Sequence, residues 1–130
     1  MKIFDKNNNL IALLIRSKKN SQNKVFYSEN EDLMQIGKFQ LLKDDLILRH
    51  FHPKNPRKID LTSEVLILQR GVLEVSLYDE YQNFVEKLYV YKNDILVLYR
   101  GGHEIKVVKK AKFIEIKQGP YDSNKDKVRF

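Results

Sequence analysis

From Asp45 onward, runs rich in Ile, Val, Leu, Tyr and Phe alternate with short breaks at Pro53 to Lys58, Arg70-Gly71, Asp79 to Asn83, Lys92 to Asp94, Arg100 to Gly102 and Lys109-Lys110. Apolar runs of that length between turn residues predict β-strands. No stretch keeps a 3.6-residue apolar period over the roughly ten residues a helix needs, and no repeat of fixed length appears. The rhythm predicts an antiparallel meander or sandwich closing into a barrel. Before Asp45 the expected strands are short, near Leu10 to Arg16, Val25 to Ser28 and Leu33 to Leu42, with polar breaks at Lys18 to Lys24 and Glu29 to Asp32. The tail from Gly119 to Phe130 reads as an arm that opens on a Gly-Pro-Tyr turn.

Alternation along a strand gives these runs a testable parity, because residues two apart share a face at a Cα spacing of about 6.6 Å. In Asp45-Leu-Ile-Leu-Arg-His-Phe-His52, the positions Leu46, Leu48, His50 and His52 share one face, so both histidines extend a row of leucines expected to point inward. Glu64 shares a face with Leu66 and Leu68, and His103 with Ile105 and Val107. All three histidines of the chain therefore fall on apolar-facing positions, with one carboxylate that is costly to bury uncompensated. Taken singly, each is more commonly a hydrogen-bonded core or strand-end residue. Taken together, His50, His52, Glu64 and His103 make a ligand set for a divalent metal with positions left for water or substrate. Iron, manganese, nickel, zinc and copper all suit three imidazoles and a carboxylate.

The chain's 130 residues suit one domain, and 42% hydrophobic with 32% charged residues suits a globular fold with a real core. The absence of cysteine removes disulfides and thiolate ligands and fits a cytoplasmic location. The apolar run Leu10 to Ile15 is far short of the roughly 20 residues that span a bilayer. A net charge of +7 favours an anionic partner. No nucleic-acid-binding signature accompanies it, so neither nucleic acid nor membrane is expected as a partner. The densest basic cluster, Lys106, Lys109, Lys110 and Lys112, falls on an expected hairpin and reads as a solvated turn.

His50-Phe-His52, Glu64 and Gly71 resemble the first motif of the cupin superfamily, with the Glu-to-Gly spacing intact. Asn93-Asp94 and Gly101-Gly102-His103 resemble the second. The gap between His52 and Glu64 is longer than usual, and the proline of the second motif is missing. The tail, Glu115-Ile-Lys117-Gln-Gly119-Pro120-Tyr121 with Asp126-Lys127, resembles the ending of WbuC-type cupins, which are associated with O-antigen and capsular polysaccharide biosynthesis. The resemblance implies an all-β, single-domain jelly-roll barrel: N-terminal strands in 1–44, the core barrel in 45–118 and an arm in 119–130. It also implies a homodimer.

The function expected on these grounds is that of a metal-binding cupin acting on a sugar or nucleotide-linked sugar, as an isomerase or epimerase would. Arg57, Arg100 and Lys117 are candidates for contact with an anionic substrate and Tyr121 for stacking, although ordinary surface roles are the commoner fate of such residues. No general base can be named from the sequence. Two other readings remain open at this point: a non-catalytic sugar-binding or regulatory module, and a metal-dependent dioxygenase.

Overall fold

The computed structural model describes residues 1–17, 24–122 and 126–130. Among these the secondary structure is all β, in strands β1 (Lys2–Phe4), β2 (Leu10–Ile15), β3 (Lys24–Phe26), β4 (Gly37–Phe39), β5 (Glu64–Tyr78), β6 (Phe84–Tyr91), β7 (Ile95–Leu98) and β8 (Gly102–Lys117). Every pairing is antiparallel. The chain forms two compact units, one of Met1–Ser17 with Leu61–Phe130 and the other of Lys18–Asp60.

The larger unit is a six-stranded sheet in the order β1-β2-β7-β5-β6, with β8 along the other edge of β5. The first four residues of β5 pair with β7 and the stretch Val72 to Tyr78 pairs with β6, while β8 follows β5 along its whole length. The sheet curls into a half-barrel. Its core includes Leu66, Leu68, Leu73, Val75 and Leu77 of β5, packed with residues of β2, β6 and β7 such as Ile11, Leu14, Val90 and Leu96.

Along β5 the core positions are even-numbered before residue 70 and odd-numbered after it. An inserted residue reverses which face a strand presents, so the change of parity requires irregular pairing between the two halves. The β5–β8 register does shift between Leu68 and Arg70, between Arg70 and Val72, and between Val72 and Leu73. Gly71 sits inside this irregular stretch with φ +96°. The bend lets both halves of one strand turn apolar side chains toward a common core.

Two expected breaks are thereby corrected. Arg70-Gly71 does not end a strand, and Lys109-Lys110 is not a hairpin: β5 and β8 both run through these positions. The bulges absorb the bend that the sequence signals as interruption. The lysine cluster lies on β8 instead of a turn, with its side chains exposed, as suits a strand paired on one side only. The expected turn at Lys92 to Asp94 is present. Asn93 takes φ +67°, and buried Asp94 accepts from the backbone N–H groups of Ser17 and Tyr91 at 3.0 Å each and from Arg16 Nη1 at 2.6 Å.

The smaller unit contains the β3–β4 hairpin, where the Phe26 and Phe39 rings meet edge to face at 5.8 Å and the Lys24 ammonium lies over both. Its turn is held by Gln35, whose Nε2 donates to the carbonyls of Glu29 and Asp32 at 2.7 and 3.0 Å. The strand expected over Leu33 to Leu42 is reduced to Gly37–Phe39, and Asp45 closes a further turn by accepting from the Leu42 N–H at 2.7 Å. The strand expected over Asp45 to His52 is absent. A strand needs a ladder partner, and among the described residues none pairs with this segment; Leu46, Leu48 and Phe51 are exposed. The polar stretch Lys18 to Lys24 lies outside the described residues except at Lys24.

Candidate functional site

Glu64 begins β5, flanked by Leu98 of β7 and Lys117 of β8. His103 lies near the start of β8, opposite Leu77 at the far end of β5. In a flat sheet these two residues would be separated by most of the length of β5. The bend at Gly71 brings them together across the mouth of the half-barrel, with His103 Nε2 3.3 Å from Glu64 Oε2. Glu64 is largely covered, its side chain 14% exposed, while His103 remains 31% exposed. The covered carboxylate thus faces an imidazole that ligands can reach.

The pair lines a pocket of about 240 Å³, together with Leu98, Arg100, Gly101 and Asp126. Arg100 and Gly101 belong to the turn between β7 and β8. Gly101 takes φ +77°, and a Cβ there would collide with the Tyr78 carbonyl oxygen, so the turn is pressed against the end of β5. Asp126 reaches the pocket from the C-terminal arm. Its Oδ2 lies 3.0 Å from Lys117 Nζ, and its Oδ1 accepts from the Asp122 N–H at 3.1 Å. These contacts hold its carboxyl below the usual carboxylate range, the Asp122 N–H contributing most and Lys117 next. Asp126 in turn raises the Lys117 ammonium above its ordinary value. Tyr121 packs its ring against the same ammonium, 4.8 Å from ring centroid to Nζ. Phe130 anchors the end of the arm against Tyr78 in an edge-to-face contact at 5.3 Å.

The residues singled out in the sequence thus fall into two groups. Glu64, His103, Arg100, Lys117 and Tyr121 belong to the larger unit, and the first three line its pocket. Lys117 is matched to Asp126 and Tyr121, which makes it the anchor of the arm. His50, His52 and Arg57 belong to the smaller unit and are exposed. The two histidine rings stand edge to face at 5.3 Å, and His50 Nδ1 lies 2.9 Å from the Leu48 carbonyl oxygen. Within either unit, the described residues gather no group of three or more His, Asp or Glu that could hold a metal. Asp126 is the pocket residue that periodicity could not find. Its signal lay in the tail motif, where the distance along the chain from Lys117 hid the ion pair.

The Glu64–His103 geometry is compatible with shared metal ligation. Two donors bound at about 2.0–2.2 Å to one ion, at angles near 90° to 109°, stand about 3.0–3.5 Å apart. The observed separation of 3.3 Å lies in that range. No protein-family model, no curated protein and no solved structure matches this chain.

Proposed function

We propose that the protein is a small metal-binding cupin whose half-barrel takes a sugar or nucleotide-linked sugar at the mouth formed by Glu64, His103 and Arg100, and that it acts there as an isomerase or epimerase. The observation that carries the reading is the meeting of Glu64 and His103, at 3.3 Å, from opposite ends of a bent strand pair. In this reading Glu64 and His103 hold a divalent ion, which when bound supplies a Lewis acid for polarising a substrate carbonyl or hydroxyl. The chain's own contribution is placement. β5 fixes the carboxylate, the bend at Gly71 delivers the imidazole, and Leu98 gives the pocket an apolar wall.

A second reading rests on the same distance. A carboxylate beside an imidazole orients the ring, which makes a pair able to move a proton without a metal. Both readings depend on His103 Nε2.

Isomerisation or epimerisation of a keto sugar exchanges a carbon-bound hydrogen with solvent. Incubating the metal-reconstituted protein in D2O with a panel of nucleotide-linked keto sugars, followed by mass spectrometry, tests the proposal. The expected result is uptake of one deuterium into one member of the panel, lost in His103→Ala. Absence of exchange across the panel would contradict the isomerase reading.

A further inference from the structure

We propose that Arg100 forms an oxyanion subsite in this pocket, so that the ligand is a sugar derivative bearing a phosphoryl or carboxylate group. The inference rests on the proposed small-molecule role of the pocket and adds the chemical class it selects.

Of the two cations at the pocket, Arg100 is held less closely than Lys117. Asp126 is neutralised by Lys117 at 3.0 Å, and Glu64 stands against His103. Arg100 has two acidic neighbours, Glu80, whose Oε2 forms a long ion pair 3.9 Å from Nη1 and beyond hydrogen-bond distance, and Asp5, whose carboxylate interacts with it electrostatically. Its Nε is buried and has no hydrogen-bond partner among the described residues. Arg16 of the same unit shows the contrast, with one Nη1 held at 2.6 Å by Asp94 and at 2.8 Å by the Tyr89 carbonyl.

The Arg100 side chain is about one-third exposed and lines the pocket, within reach of a ligand held there. The tight turn at Gly101 fixes the backbone from which it projects. A planar guanidinium fork in that position suits two oxygens of a phosphoryl or carboxylate group, a pairing a lysine would not reproduce. The ligand then spans the pocket with its oxyanion on Arg100 and its reacting carbon toward His103.

Calorimetric titration tests this with pyrophosphate, glucuronate and glucose as probes against the parent, Arg100→Gln, Arg100→Lys and, as a control on the exposed bend of β5, Arg70→Gln. Saturable binding of at least one oxyanion by the parent is expected, weakened about tenfold or more in Arg100→Gln. Arg100→Lys should lie between them, Arg70→Gln should match the parent, and glucose should not distinguish the variants. The tighter of the two oxyanions identifies the phosphoryl or the carboxylate as the recognised group. No saturable oxyanion binding by the parent, or equal binding by a folded Arg100→Gln, would overturn the subsite. If Arg100→Gln does not fold, parent-like affinity in Arg100→Lys overturns it equally. Metal content measured on the same samples separates the two claims: a metal retained in Arg100→Gln leaves the metal reading standing whatever the oxyanion does.

Discussion

Gly71 and Lys110 meet backbone to backbone: a Cβ on Gly71 would stand 2.5 Å from the Lys110 carbonyl oxygen. This close approach lies at the bend of β5 and β8, and the bend is what brings Glu64 to His103. A position that contributes no side chain to the pocket therefore sets the pocket's geometry.

Gly71→Ala should destabilise the protein by about 2 kcal/mol or more, since it adds a backbone clash to a strained positive φ. Gly119→Ala, where the nearest atom to a new Cβ is 3.9 Å away, should stay within about 0.5 kcal/mol of the parent. Urea unfolding followed by circular dichroism measures both. Equal midpoints for the two variants would contradict the role given to the bend.

The all-β class, β2 and the turn at Asn93-Asp94 were legible in the sequence because alternation and turn chemistry are local. The paths of β5 and β8 were not. Arg70-Gly71 and Lys109-Lys110 carry turn-like residues, and only the change of parity from Leu66 and Leu68 to Leu73, Val75 and Leu77 reveals a bulge within a continuous strand. Glu64 and His103 were legible as site candidates because each extends an apolar face, yet their meeting depends on that bend. The opposite failure occurred at Leu46 to His52, where the alternation is good and no strand forms, because pairing is a tertiary property.

Asp94 ties together the ends of β2 and β6 at the turn into β7 through Arg16, Ser17 and Tyr91. Asp94→Ala should cost about 2–3 kcal/mol, because it leaves two backbone N–H groups without their acceptor. Arg16→Ala should cost about 1 kcal/mol or less, since the arginine is substantially exposed. Thermal or urea unfolding of the two variants gives the comparison. A larger loss for Arg16→Ala would contradict the assignment of Asp94 as the hub.

The arm should respond to acid. Asp126 is held below its ordinary value, so its contribution to docking is full above the unfolded carboxylate range near pH 4 and is lost as pH falls through the lowered value. Lys117 is raised, so its contribution is full below its unfolded value and is lost only as pH climbs through the raised one. Ring proton shifts of Phe130, packed on Tyr78, should move toward free-peptide values as pH falls below about 4, and Asp126→Asn should show that change already at pH 7. Phe130 shifts in Asp126→Asn that match the parent at pH 7 would contradict the role of Asp126 in docking the arm.

Metal content tests most directly whether Glu64 and His103 hold one ion. The untagged protein would be reconstituted separately with iron, manganese, nickel, zinc and copper, desalted and analysed beside Glu64→Gln, His103→Ala and the double variant His50→Ala/His52→Ala. About one ion per chain is expected for at least one metal, lost in Glu64→Gln and His103→Ala with circular dichroism unchanged. The double variant reports the share of the His50-Phe-His52 pair expected from the sequence. Full metal occupancy in folded Glu64→Gln and His103→Ala, or no metal held by the parent after any reconstitution, would contradict a shared ion.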